Sequence, residues 1–261
     1  MTERVLVSVD GGIARVRLNR ADKRNALDLE MFQAIARAQQ RVRGERGVRA
    51  VILEAAGEDF CSGLDVKSMM SNRAAMVKLL WKWLPWQANL AQQVSVGWRR
   101  MRVPVIAAVQ GRCWGGGLQI ALGADFRIVH PQATLSVMEG KWGLIPDMGG
   151  TLALRNLLGR DQAMRLAMTA EVVDAETALK LGLVSEINPQ VDQAAQTLAA
   201  QITERSPDAV AAVKRLYRKS WHGSEGAVLA RETAYQWRIL AGVNQGIAVR
   251  RQQGQDIPYR D

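Results

Sequence analysis

Val103 to Val109 is a mostly apolar run of strand length, Gly111-Arg-Cys-Trp-Gly115-Gly116-Gly117 follows it, and Leu118 to Leu122 reads as helix. A chain that leaves a strand through glycines and restarts as a helix must turn sharply. It also leaves free backbone N–H groups at the helix start, where the helix dipole favours negative charge. Gln119, Glu139 and Asp147 come next, in that order. An anion-stabilising amide beside a carboxylate is the minimum equipment for moving protons next to a carbonyl.

The other segments fit the same architecture. Val5 to Val9, Asp10-Gly11-Gly12 and Ile13 to Leu18 read as a β-hairpin, with Arg15 and Arg17 on a wet face. Asp28 is a helix N-cap, Met31, Ile35, Ala38 and Val42 form one stripe, and Gly44 ends the helix. Val48 to Leu53 reads as a strand, Gly57 to Gly63 as a loop, and Phe126 to Val129 and Thr134 to Val137 as strands. Pro104 belongs at a strand start. Alternating strands and helices predict an α/β chain of stacked units. After Asp174, which caps a helix closed by Gly182, the pattern is mostly helical. Ser206-Pro207 opens a helix with Val210, Val213, Leu216 and Tyr217 on one face. Between Met69 and Met101 lie Trp81, Trp83, Trp86 and Trp98 with Met70 and Met76. Helical spacing of such residues favours core, while their bulk and adaptability also suit a pocket wall.

Composition excludes several classes. The chain of 261 residues, 48% apolar and 23% charged, is that of an ordinary soluble globule. Two cysteines, Cys61 and Cys113, make neither a disulfide framework nor a metal-ligand pattern. With no apolar leader at Met1-Thr-Glu-Arg and no long apolar run, a cytoplasmic protein is expected. The net charge of +10 fits a phosphorylated ligand steered by the field, nucleic acid, or simply a solvated basic face. No nucleic-acid motif accompanies the dispersed cations.

Familiar motifs fail here. The dinucleotide pattern G-x-G-x-x-G breaks at Ile120, no phosphate-binding G-x-x-x-x-G-K-[ST] exists, and Phe60 stands where a nucleophile elbow needs glycine. The two histidines are His130, before Pro131 in a turn, and His222, so metal ligation and Ser-His-Asp catalysis have little to stand on.

The sequence does resemble the enoyl-CoA hydratase/isomerase (crotonase) family. The resemblance rests on Asn25-Ala26-Leu27, Phe60-Cys61-Ser62-Gly63-Leu64-Asp65, Pro104 to Gly111, the triplet Gly115 to Gly117, and Ala124-Asp125. It continues through Glu139, Gly143-Leu144-Ile145-Pro146, Gly149-Gly150-Thr151 and Ala178 to Val184. It implies a crotonase-like spiral of ββα units over residues 1–200 and a C-terminal helical trimerisation region over 201–261, assembled as a homotrimer or a dimer of trimers. The implied substrate is an acyl-CoA thioester, whose oxygen would receive the N–H groups of Leu64 and Gly116. Ser62, Gly63, Asp65 and Val66 would line the CoA arm, and Arg24 is the candidate for a CoA phosphate. No metal or redox cofactor is implied, because CoA arrives as part of the substrate.

The departures bear on the reaction. Hydratases of this family place one glutamate two residues after the glycine triplet, where this chain has Gln119, and a second at the position of Glu139. A glutamine can hold a water but cannot take its proton. Asp147 resembles the second acid of the Δ3,5-Δ2,4-dienoyl-CoA isomerases, although those enzymes also carry an aspartate at the Gln119 position; otherwise it is a turn residue between proline and methionine. An acyl-CoA double-bond isomerase is therefore expected, with Glu139 as base and Val137, Met138 and Trp142 desolvating it. A 2-enoyl-CoA hydratase using Glu139 with Gln119 positioning water is the alternative. A weakly catalytic acyl-CoA- or RNA-binding member is a third reading, because the family includes an RNA-binding homologue.

Overall fold

The computed structural model describes residues 3–70 and 73–260; Met1, Thr2 and the Met70 side chain, part of the readings above, lie outside what is described. Its strands are β1 (Val5–Asp10), β2 (Ile13–Leu18), β3 (Ala50–Ala55), β4 (Val105–Val109), β5 (Arg112–Trp114), β6 (Phe126–Val129), β7 (Thr134–Ser136), β8 (Val173–Asp174) and β9 (Glu186–Ile187). They form a sheet of order β1-β2-β3-β4-β6-β9 and a second of order β5-β7-β8. The hairpin β1–β2 is antiparallel and the rest of the larger sheet is parallel. From β4 onward the chain lays one strand in each sheet and then turns into helix: β4, β5 and helix Gly116–Ala121, then β6, β7 and the 3₁₀ turn Met138–Trp142.

The unbroken apolar run of β4 has a direct cause. Val105, Ala107 and Val109 face the main core with Phe32, Ile35, Leu53 and Leu118. Ile106 and Ala108 face the other side, where Ile52 and Ile128 meet Val191, Ala195 and Ala199 of helix Val191–Thr203. A parallel strand covered on both faces has no wet positions. Helix Leu29–Gly44 starts where expected: Asp28 Oδ1 accepts the Met31 N–H at 2.8 Å, and Met31, Ile35, Ala38 and Val42 are all buried.

The third strand departs from its reading over Val48 to Leu53. Pairing with β2 runs from Ala50 to Ala55, through Glu54. Glu54 is buried because Arg17 donates to it at 2.7 Å and Arg15 also pairs with it. The arginines read as a wet face thus neutralise a carboxylate on the next strand, and a buried charge is tolerated when paired this way.

The tryptophan segment is a second departure. Residues 81–89 contain no helix, and Trp81, Trp83 and Trp86 are 63%, 86% and 76% exposed. Only Trp98 joins the core, from helix Leu90–Arg99, which Asn89 and Gln92 open as a capping box. Pro85 interrupts the run, so the helical spacing never becomes a helical face.

Asp174 caps helix Ala175–Leu181 through the Thr177 N–H, and Gly182 closes it in the left-handed conformation. Ser206 caps helix Pro207–Ser220, which packs with helices Glu225–Leu240 and Val243–Gln252. On its apolar face Val213 and Tyr217 are 55% and 56% exposed. Among the described residues no helix is long and apolar enough to cross a membrane.

Candidate functional site

Two turns of the chain meet at the glycine triplet. The Cys61 N–H donates to the Arg112 carbonyl and the Trp114 N–H to the Cys61 carbonyl, laying the Cys61–Asp65 segment alongside β5. On its other side the Leu27 N–H donates to the Gly63 carbonyl and the Asp65 N–H to the Leu27 carbonyl. The result is close approach: a Cβ on Gly63, at φ +95°, would sit 3.0 Å from the Trp114 carbonyl oxygen and 3.7 Å from the Gly116 nitrogen. The turns therefore bring the Leu64 and Gly116 amides to one place. Neither N–H has a hydrogen-bond acceptor among the described residues. Gly116 is glycine for space: a Cβ would lie 2.7 Å from Leu27 Cδ1 and 2.9 Å from Met148 Sδ.

Glu139 lies over the same triplet. A Cβ on Gly115 would stand 3.5 Å from Glu139 Oε1. The Gln119 Nε2 donates to that oxygen at 2.6 Å. Gln119 Oε1 accepts the N–H groups of Met148 and Gly150, each at 3.0 Å. These two donors fix which end of the amide is oxygen, and they occupy both of its lone pairs. Glu139 Oε2 is buried with no partner. Burial pushes the Glu139 carboxyl above its ordinary value; its own backbone amide and Gln119 pull it back, and the Asp147 charge adds to the rise.

Asp147 itself is exposed at the rim, and partial desolvation raises its carboxyl as well. It immediately precedes Met148, so the Gln119 anchor also sets its position. Of the apolar residues expected around Glu139, Val137 is buried at 2% exposure and Trp142 is 58% exposed. The 3₁₀ turn Met138–Trp142 carries Glu139 inward and leaves Trp142 outside.

The remaining predicted residues fall along one path. The Ser62 N–H donates to the Arg24 carbonyl at 3.0 Å, which ties Arg24 to the Ser62, Gly63, Leu64 turn. Arg24 is exposed and only 3.8 Å from Asp59, leaving its guanidinium largely open to solvent. Asp65 is more committed. Its carboxylate accepts from Arg20 at 2.9 Å and from the Ser68 N–H at 3.1 Å, so it caps the short helix Val66–Met70, and these partners hold its pKa below the ordinary value against partial burial. The sequence pointed to no role for Arg20, and it marked Asn25 only as part of the family resemblance. Arg20 also pairs with Asp28 at 3.3 Å. Asn25, buried at φ 54°, donates to the Ala56 and Asp59 carbonyls, and its oxygen accepts the Arg20 N–H. The available signal was an asparagine at a turn, the residue type that tolerates a left-handed backbone.

A family model described as enoyl-CoA hydratase/isomerase covers residues 8–242. This chain belongs to the enoyl-CoA hydratase/isomerase family. It is 32% identical over 224 residues to the carnitinyl-CoA dehydratase of Salmonella typhi, spanning 84% of this chain and 81% of that one. Bacillus subtilis YngF, described as a candidate enoyl-CoA hydratase/isomerase, is 33% identical over 231 residues, 87% of this chain and 86% of the relative. An enoyl-CoA hydratase structure from Bacillus anthracis superposes with TM-score 0.88 at 25% identity, covering 98% of each chain. A Thermobifida fusca candidate enoyl-CoA hydratase solved with CoA gives 0.82 at 28% identity, covering 92% and 93%. The mixed α/β architecture is the crotonase fold, and an acyl-CoA substrate fits the family.

Proposed function

We propose that the chain is an acyl-CoA double-bond isomerase working with one buried base. The thioester oxygen accepts the Leu64 and Gly116 N–H groups, which stabilise the enolate that forms when a proton leaves the neighbouring carbon. Glu139 Oε2 takes that proton. Glu139 returns it further along the chain, or Asp147 supplies one at the rim. Ser62, Gly63 and Val66 flank the CoA arm and Arg24 meets a phosphate, while Asp65 holds their turn through Arg20. The steps need no metal or redox cofactor. The exposed apolar face of helix Pro207–Ser220 supports assembly as a homotrimer or a dimer of trimers.

The supporting observation is the commitment of Gln119. With its oxygen taken by Met148 and Gly150 and one Nε2 hydrogen by Glu139, it has no lone pair for the proton of an attacking water. The second reading, a 2-enoyl-CoA hydratase or dehydratase, is favoured by the likeness to carnitinyl-CoA dehydratase. It would work with Glu139 and the remaining Nε2 hydrogen.

Gln119→Glu separates the two readings. The new carboxylate keeps the Met148 and Gly150 N–H groups and faces Glu139, so the pair shares a proton and can activate a water. Hydration of a short 2-enoyl-CoA, followed as loss of enoyl-thioester absorbance, should rise at least tenfold, about 1.4 kcal/mol of barrier. Fast hydration by the unchanged protein with no gain in the variant would transfer the assignment to the hydratase.

A further inference from the structure

The opposite end of β4 carries a different feature. Arg100 and Arg102 stand just before this strand, whereas the glycine triplet follows its carboxyl end by way of β5. There a groove of about 440 Å³ opens between the Arg100–Arg102 turn and helices Pro207–Ser220 and Glu225–Leu240. Its cations come from three elements: Arg100 and Arg102, then Lys214, Arg215 and Arg218, then Arg238. Asp208 is the one acidic residue in the lining.

Half of these cations are already committed. Lys214 sits on Asp125 at 2.6 Å and donates to the Val103 carbonyl at 2.8 Å. Arg102 pairs with Asp208 at 3.1 Å, and Arg215 lies over the Tyr235 ring at 5.3 Å. Arg100, Arg218 and Arg238 have no carboxylate partner among the described residues. The crowding reaches next door: burial and then the charges of Arg155, Arg218 and Arg100 lower the pKa of the neighbouring Arg99 guanidinium. Like charges gathered this way repel one another until an anion joins them. Guanidinium forks match phosphate oxygens in pairs. The apolar part of the lining is Met101, Ala211, Ala212 and Ile239, and the volume lies in the range of small-molecule sites, about 300–1,000 Å³.

We propose that this groove binds a nucleoside polyphosphate, its phosphates on Arg100, Arg218 and Arg238 and its base against the apolar lining of Met101 and Ile239. The site is separate from the thioester centre, because the buried residues of β4 lie between them. It stands whichever reaction that centre performs. Because CoA itself carries an adenosine diphosphate, the experiment keeps the acyl-CoA site apart from this groove.

Titration calorimetry of the CoA-saturated full chain with ADP, and with inorganic pyrophosphate for the phosphate contacts alone, should show saturable binding with one ADP per chain, weakening with salt. Arg218→Ala with Arg238→Ala should lower ADP affinity at least tenfold, while Arg46→Ala, an exposed arginine elsewhere, should not change it. If the alanine pair fails to fold, Arg218→Lys with Arg238→Lys keeps the charge and removes the forks, and affinity should still fall severalfold. ADP that binds only when CoA is absent occupies the acyl-CoA site, and that result would overturn the proposal. No saturable binding, equal binding by the variants, or loss of binding together with a changed oligomeric state by light scattering would overturn the proposal.

Discussion

The two ends of β4 solve opposite electrostatic problems. At the carboxyl end the proposed working groups are backbone amides, and the buried carboxylate of Glu139 has one oxygen held by Gln119 and the other left without a partner. At the amino end the proposed binding groups are long cationic side chains, several without a carboxylate partner among the described residues, on the Arg100–Arg102 turn and two helices added late in the chain. Amides fixed by the fold are aimed and cannot relax, which suits charge that exists only during a reaction. Guanidinium groups are mobile and permanently charged, which suits a ligand that arrives already ionised. On the two proposals, chemistry and charge recognition lie toward opposite ends of one strand.

Glu139→Gln tests the first half of that contrast most severely. Turnover of a 3-enoyl-CoA should fall at least a thousandfold, while acyl-CoA binding by calorimetry changes little. A variant that keeps a tenth of kcat would show that another group is the base. The pH profile carries the same information. Glu139 must be ionised to accept a proton, and burial raises its pKa above the ordinary 4.5. Activity should therefore climb with pH through a midpoint above that value, and a midpoint at or below it would contradict a desolvated base.

Gly116→Val asks whether the amides depend on the packing around them. The added Cβ meets Leu27 and Met148 at under 3.0 Å, so one of them must move. The expected loss of kcat is about 10²–10³, the usual effect of removing one such donor, with a much smaller change in binding. An unchanged kcat in a folded variant would remove Gly116 from the proposed hole.

Asp147→Asn should have the smallest effect, and a selective one. A 3,5-dienoyl-CoA needs a proton moved further than one carboxylate reaches comfortably, so it should lose about tenfold more rate than a 3-enoyl-CoA does. The Asp147 charge raises the Glu139 pKa, so removing it should also shift the acid limb of the pH profile downward. Equal losses on both substrates would make Asp147 a turn residue, and the rim would then take no part in the contrast.

The sequence by itself determined the elements whose causes are local. Asp28, Asp174 and Ser206 cap helices because each side chain accepts an N–H three residues away. The apolar run of β4 was legible because a strand covered on both faces has no polar positions to interrupt it. The glycine triplet, Glu139 and the family were legible in the same way, as a pattern along the chain. Tertiary structure decided what depends on partners far apart in sequence. The strand read over Val48 to Leu53 stopped short of Glu54, which joins it because Arg15 and Arg17 lie beside it. Trp81, Trp83 and Trp86 read as core or as a pocket wall, and a segment without helix leaves them exposed. Gln119 read as an amide free to hold water until Met148, Gly150 and Glu139 took its polar atoms. Charges scattered over three elements became one groove only when those elements packed together. A cap is satisfied within one turn of chain, but a buried charge or an amide is satisfied by whatever the fold brings to it, and only the assembled structure specifies that neighbour.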